Sequence, residues 1–552
     1  MEEPAWDRAN DLQRLASHTF DLLVLGGGIT GAGIARDAAL RGLDVALIDK
    51  CDFASGTSSR SSKLVHGGLR YLQQAQLKLV FEGTNERALL MRLAPHLVRP
   101  LEFLVPAYRL GFYTMIWTGL LLYDMLALRK PPAGHRRWSA RQLHELEPAL
   151  RREHLVGGLT YFDCATDDSR LTLENVLDAR ATGAICASYV RALAPLRRRG
   201  GRISGLEVED VRTGARFAVQ ARVVVGALGP WTDRVLHEFA TSQNALLRPT
   251  KGVHVIVDAA RLPVRHAVTM ASRDKRIVFC LPAGPRTVVG TTDTDYRGDY
   301  DAVAATLEDV VYLLGTANFY FPEARLRPED VIATYAGLRP LIAATGAAYA
   351  VPREHEIFVQ SDGMIVIAGG KLTTYRRMAR EAVDKAVARL QDMGFGENVG
   401  PCSTFERRLP GAFPPGIDLD REAARLGTQF QMAPEVAYHL ARTYGARADR
   451  VLSWGNGKRV DPELPYLWCE IEHAIREEVA VTVSDVLWRR VPIFLYARDQ
   501  GLAVCQEVSH RLAVAHGLSE AARQRQIDEY RAQVELSRAF HGARAAVASL
   551  AR

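Results

Sequence analysis

The sequence predicts an α/β fold with a dinucleotide-binding unit near its start and a helical region at its end. Three observations predict it. Residues 20–49, FDLLVLGGGITGAGIARDAALRGLDVALID, read as strand, glycine turn, helix, strand and acid. Residues 363–387, GMIVIAGGKLTTYRRMAREAVDKAV, repeat a strand, a glycine pair and a helix some 340 residues later. From about residue 400 onward, apolar residues recur at helical spacing.

The first unit follows from its residues in order. Leu22 to Leu25 is a short apolar run suited to a buried parallel strand. Gly26, Gly28 and Gly31 supply the GxGxxG spacing: a tight turn, backbone close to a pyrophosphate, and a helix packed close to the strand. The helix from about Ile29 to Arg41 turns its free N–H groups and positive dipole end toward phosphate, and Gly42 is placed to end it. Val45 to Ile48 is the second strand. Asp49 follows, an acid that can accept from an adenosine ribose and disfavours a 2′-phosphate. The unit by itself does not separate NAD from FAD.

The rest of the chain is read more coarsely. Residues 1–19 look like a polar helical lead-in, with Glu2, Glu3 and Asp7 and no secretory-signal pattern. Residues 201–208 and 217–220 resemble an antiparallel meander, followed by strands at 223–227, 252–257, 277–281 and 287–290. Pro131-Pro132-Ala133-Gly134 is a loop, and 401–416 is the connection to the helical region. In that region 432–452, 467–490 and 518–539 carry helical spacing.

Composition bounds the function. The 552 residues exceed one core, so two or three domains are expected. At 48% hydrophobic and 24% charged the chain is ordinary for a globular protein. A net charge of +7, from 70 basic and 63 acidic residues, is too mild to imply nucleic acid. Seven scattered cysteines without a CxxC pair argue against a disulfide framework or a zinc site and fit a reducing cytosol. The longest uncharged run, LGFYTMIWTGLLLY from Leu110 to Tyr123, is too short to span a bilayer. Two readings stand for it: a buried core segment, or a monotopic membrane contact flanked by Arg109, Arg129 and Lys130.

Further segments carry chemistry. GTSSRSSKLVHGGLRYL, 56–72, is rich in small hydroxyl residues and glycine, so backbone can lie close to a ligand, and it ends in His66, Arg70 and Tyr71. Arg70 can fork onto a phosphate or carboxylate, and Tyr71 can donate once more. ARVVVGALGPWTDRV, 221–235, runs a strand into Gly229 and a second approach to the dinucleotide. KGVHVIV, 251–257, brings Lys251 and His254 to a strand start. The turn with Asp293, Asp295 and Asp299 is read as capping and turn chemistry rather than a metal site. Arg339 in YAGLRPL and Arg353 in VPREHEI are anion-ligand types. Gly369-Gly370-Lys371, before a helix starting near Thr373, aims a second helix N-terminus at a ligand. That is hard to explain in a simple NAD domain.

Together these segments resemble the FAD-dependent glycerol-3-phosphate dehydrogenases of respiring cells. The resemblance rests on GGGITGAGIARDAALRGLDV, TSSRSSKLVHGGLRYL, APHL, DDSRL, GPW, KGVH, DKRIVF, GTTDTDY, GLRPL, GGKLTTYR, ARTYG and LWRR, and covers nearly the whole chain. It departs at GALGPW, where Leu228 replaces an expected threonine. The resemblance implies a glutathione-reductase-like FAD-binding Rossmann domain, an interleaved mixed-sheet substrate domain and a C-terminal all-helical domain. The implied boundaries are 1–400 and 401–552, with FAD-binding parts at about 18–90, 150–235 and 355–395 and substrate parts at about 91–149 and 236–354.

The resemblance further implies oxidation of sn-glycerol 3-phosphate to dihydroxyacetone phosphate. Electrons would pass to a membrane quinone, from a cytoplasmic protein peripheral to the inner face of the membrane and often dimeric. Carried over, Arg70, Tyr71, Arg353 and Lys371 bind substrate, and Arg339 and His254 are catalytic. Gly26, Gly28, Gly31, Asp49, Thr57, Ser58, Ser62 and Lys63 bind the cofactor from the first half. Gly229, Gly370, Lys371, Leu372 and Thr373 bind it from the second. No metal is expected. An oxidase passing electrons to O₂ and a flavin-bound scaffold or sensor without turnover are the alternatives.

Overall fold

The computed structural model describes residues 6–68, 76–126, 134–242, 244–343, 354–455 and 457–542. Arg70, Tyr71, Arg353, the 131–133 part of the proline-rich loop, and Arg129 and Lys130 lie outside them.

The first sheet is built around Thr19–Leu25, with Arg216–Gly226 on one side and Val45–Ile48 on the other, both parallel to it. Ile365–Gly369 extends the parallel set beyond Arg216–Gly226, and Ile185–Ala187 extends it beyond Val45–Ile48. The central strand is apolar from Leu22 to Leu25 because both its faces are covered there. Leu22 and Val24 enter one core, with the helices Ile29–Leu40 and Tyr375–Asp392. Phe20, Leu23 and Leu25 enter the opposite one. The lead-in is the helix Arg8–Ser17, N-capped by Asp7, and it lies against the second of these cores through Leu15.

The expected meander is present: Ile203–Asp210 pairs antiparallel with residues 216–220. The expected separate strand at 223–227 is instead the continuation of the same strand, Arg216–Gly226. One strand thus serves an antiparallel hairpin at its start and the parallel sheet at its end.

The second sheet is mixed and larger. Leu247–Asp258 pairs antiparallel with Val331–Ile342, with Arg286–Gly290 and with the short Thr294–Asp295. The sheet continues through Ile277–Ala283 and Ala267–Ala271 to Arg99–Ala107 and Gly157–Ala165. One face packs on the helix Leu307–Tyr320 through Val253, Val255 and Val268. The other face, through Phe103, Ile256 and Tyr335, shares a core with Leu487, Trp488 and Phe494 of the helical region. The C-terminal helices are therefore packed onto this sheet rather than strung beside it.

Within that region, Pro434–Tyr444, Ala448–Leu452 and Glu520–Ser537 are helical as the spacing predicts. The expected helix over 467–490 is broken. Trp468–Arg476 ends before Val479, whose φ is +42°, and the chain resumes as a π-helical turn, Asp485–Arg490. All six residues of that turn are buried, so no exposed face marks its period.

Candidate functional site

A cavity of about 960 Å³ runs between the two sheets. Its walls include Gly26, Gly28, Asp49, Thr57, Ser58 and Gly229 at one end, and His254, Arg339, Gly370, Lys371 and Leu372 at the other. Of the described predicted residues, only Gly31, Lys63 and Thr373 are not part of the wall.

The first end is the glycine turn. Gly31 must be glycine for packing: a Cβ there would lie 1.8 Å from the Gly26 carbonyl oxygen. Gly28 caps the helix Ile29–Leu40, and Ser58 Oγ accepts from the Ile29 N–H at 2.9 Å. Asp49 accepts from the Gly27 N–H at 2.7 Å and the Cys51 N–H at 2.8 Å, one on each oxygen. Each oxygen keeps a lone pair for a further donor. Burial raises this carboxyl to about 6, against the opposing pull of those two N–H groups. Thr57 donates to the Leu338 carbonyl at 2.7 Å and so ties this loop to the strand that carries Arg339.

At the other end, Gly370, at φ +88°, turns the chain from Ile365–Gly369 into a short 3₁₀ turn, Leu372–Thr374, and then the helix Tyr375–Asp392. Lys371 stands at the cap of that turn. Thr373 is buried and donates to the His66 carbonyl at 3.2 Å, which fixes the helix start against the 56–72 segment. Among the described residues, Arg339 is held by three acceptors: Asp293 Oδ1 at 3.1 Å, Thr291 Oγ1 at 3.0 Å and the Thr292 carbonyl at 3.1 Å. His254 stacks on Tyr335 with ring centroids 4.6 Å apart, and its Nε2 lies 2.8 Å from Ser62 Oγ. Burial, with Arg339 and Lys63 nearby, lowers its pKa to about 3, so the ring is neutral.

Two predicted cofactor residues sit differently from the rest. Ser62 reaches the cavity at the His254 end. Lys63 sends its ammonium to the buried Asp168 at 2.5 Å. The acid-rich turn is occupied by turn and ion-pair contacts: Asp293 meets Arg339, Asp295 meets Arg248 at 2.7 Å, and Asp299 accepts from the Asp301 N–H. Among the described residues no group of three or more His, Cys, Asp or Glu could hold a metal ion.

These residues fit a flavin dinucleotide. The cradle at Gly28, the Asp49 carboxylate with spare lone pairs and the second glycine turn with its helix start all line one cavity.

Residues 21–382 match the FAD-dependent oxidoreductase family, and residues 402–523 match the C-terminal domain of alpha-glycerophosphate oxidase. The chain is 37% identical over 492 residues to an aerobic glycerol-3-phosphate dehydrogenase of Staphylococcus haemolyticus, covering 87% of each chain. It is similar in structure to a Bacillus halodurans glycerol-3-phosphate dehydrogenase complexed with FAD. The TM-score is 0.79 at 32% identity, with 96% of this chain and 97% of that one covered. The chain belongs to the FAD-dependent glycerol-3-phosphate dehydrogenase and oxidase family. An alpha-glycerophosphate oxidase of Streptococcus pneumoniae is also similar, 33% identical and covering 97% of this chain and 98% of that one.

For a member of this family, sequence reasoning missed several wall residues. Arg276 lies in the DKRIVF segment; it donates to the Asp293 carbonyl at 2.9 Å and to Asp274 at 2.6 Å. Its presence in that segment was the available signal. Arg60 stacks on Trp488 at 5.0 Å, and burial lowers its pKa to about 10. Phe279, at the end of the same segment, and Tyr161 form apolar wall, and no motif in the sequence singles out Tyr161.

Proposed function

We propose that this protein oxidises sn-glycerol 3-phosphate to dihydroxyacetone phosphate and passes the electrons to a membrane quinone. The observation that carries this reading is the single cavity joining the cradle at Gly26, Gly28 and Asp49 to the cationic end at Arg339, Arg276 and Lys371. FAD, when bound, supplies the two-electron acceptor for the hydride that leaves C2. In this reading the 1–400 region holds cofactor and substrate and 401–552 is the helical domain.

Lys371 and the helix start behind it meet the phosphate dianion, with Arg70, Tyr71 and Arg353 completing the anion site. Arg339 stays charged and acts on the hydroxyl that loses its proton. Its three fixed acceptors orient the guanidinium before substrate arrives, so little reorganisation is needed as alkoxide charge develops. His254 takes the hydroxyl proton. It is neutral and can accept, and a dianion beside it raises its affinity for that proton. The alcohol thus loses one hydride from C2 and one proton from oxygen and becomes a ketone.

The quinone part of the reading is supported by the helix Leu110–Leu126. Leu110, Met115, Leu121, Leu122 and Met125 are exposed on it, while Leu120 and Tyr123 are buried. The exposed face supports the membrane-contact reading of this run, while Leu120 and Tyr123 form its buried face. Arg137 stacks on Trp117 at 4.4 Å and adds a cation beside this helix, which suits a monotopic contact with anionic lipid. Among the described residues no helix is long and apolar enough to cross a membrane.

The similarity to a streptococcal oxidase favours a second reading, with O₂ as acceptor. Turnover in air with a soluble quinone analogue separates the two. Quinone reduction matching substrate consumed, with little peroxide, is expected; peroxide in equal amount to substrate, with quinone untouched, assigns the oxidase reading instead.

A further inference from the structure

Asp52, two residues beyond the cofactor-facing loop's Lys50, is fully buried, and its carboxylate is held from the far end of the chain. Arg489 Nε donates to Asp52 Oδ2 at 2.5 Å. Arg490 donates to both oxygens, with Nη2 reaching Oδ1 at 2.9 Å. A buried carboxylate needs such partners, because an unpaired charge in this setting is strongly unfavourable.

The two arginines belong to the π-helical turn Asp485–Arg490 and are themselves pinned. Arg489 Nη2 donates to Asp485 Oδ1 at 2.5 Å, and Arg490 Nη2 donates to the Glu478 carbonyl at 3.0 Å. Asp485 in turn accepts from Tyr189 OH and Thr482 Oγ1, each at 2.6 Å. Tyr189 adjoins Val190, whose N–H donates to the Asp49 carbonyl at 2.7 Å. Arg60, at the other end of the 50–60 loop, stacks on Trp488 of the same turn.

The helical region also forms part of the cavity wall. Thr482, Ser484, Arg489 and Glu529 line it, alongside Lys50, Cys51 and Tyr189. Lys50 and Cys51 directly follow Asp49, so this wall meets the loop that leaves the predicted ribose acid.

We propose that the C-terminal helical region is part of the cofactor-binding machinery, clamping the 50–60 loop through Arg489, Arg490 and Asp52 and walling the adenosine end through Thr482 and Ser484. This rests on the FAD reading of the cavity. Arg489 is a positioning residue: it sets the loop that carries Thr57 and Ser58 rather than meeting reacting atoms.

The test compares FAD and FMN binding to protein stripped of flavin and then titrated, in the wild type and in Arg489→Gln, Arg489→Lys, Thr482→Val and Arg511→Gln. FMN lacks the adenosine, so it reports binding without that wall. Arg489→Gln is expected to weaken FAD on the order of tenfold to a hundredfold, the worth of one charged hydrogen bond. FMN changes far less, so the preference for FAD over FMN shrinks. Arg489→Lys restores part of it, and Thr482→Val reduces it on its own. Arg511→Gln, whose partners Glu472 and Glu507 lie on the C-terminal helices outside the cavity, leaves the preference as in wild type.

An FAD-over-FMN preference unchanged in Arg489→Gln and Thr482→Val overturns the proposal, as does equal weakening of both flavins. If Arg489→Gln does not fold, Arg489→Lys and Thr482→Val decide the matter by the same ratio. A wild-type protein that binds no FAD fails the cofactor reading itself, which is a different result.

Discussion

His254 and Ser62 meet across 192 residues of chain, Nε2 to Oγ at 2.8 Å, and no described residue offers a hydrogen bond to the ring's Nδ1. The contact draws the serine-rich loop after the first βαβ unit onto the second sheet. It holds the one histidine proposed to act in chemistry. Burial, then Arg339 and Lys63, lower His254 to about 3.

A histidine whose folded pKa is depressed contributes stability that is fully present above its unfolded value, about 6.5, and lost as pH falls toward the folded one. Wild-type stability is therefore expected to rise with pH from about 3 to 6.5 more steeply than that of His254→Gln. The pH profile of flavin reduction should carry no limb from free His254 near 6.5. Such a limb in wild type, absent in the Gln variant, would contradict a neutral buried ring.

Arg339→Ala is expected to keep FAD bound and to lose flavin reduction by roughly 10²–10³-fold, the usual effect of removing one fixed electrostatic donor. The rate of bleaching after rapid mixing with sn-glycerol 3-phosphate measures it. Wild-type bleaching in this variant removes Arg339 from the mechanism.

Lys371→Ala is expected to weaken sn-glycerol 3-phosphate by about tenfold through loss of one charge-assisted contact. Substrate titration of the flavin spectrum reads it directly. Unchanged affinity counts against a phosphate role for Lys371.

Asp49 has the opposite linkage to His254. Its folded pKa, about 6, lies above the ordinary carboxylate value, so ionisation costs the apoprotein stability as pH rises from about 4 through 6. Asp49→Asn removes that cost, and its Tm should gain on wild type across this window. The same variant should bind FAD more weakly, because the ribose loses its anionic acceptor. A Tm difference that does not vary with pH would show that Asp49 does not titrate there.

The first unit was legible because its physics is local. Gly31 packs on Gly26 and Asp49 accepts from Gly27, all inside the one βαβ unit, and the strands Thr19–Leu25 and Val45–Ile48 fall where the apolar runs place them. Gly370 and Lys371 were legible for the same reason. What was not legible depends on distant partners. Nothing beside Asp52 announces that Arg489 and Arg490 will neutralise it, and nothing beside Ser62 announces His254. The break at Val479 was hidden because every residue of the turn beyond it, Asp485–Arg490, is buried, which removes the contrast that periodicity needs.

The central claim is most directly tested by mixing the FAD-loaded protein with sn-glycerol 3-phosphate in the absence of oxygen while following the long-wavelength flavin absorbance. The account predicts rapid bleaching that is saturable in substrate and accompanied by dihydroxyacetone phosphate. An unchanged flavin spectrum at saturating substrate, in protein shown to hold FAD, would contradict it.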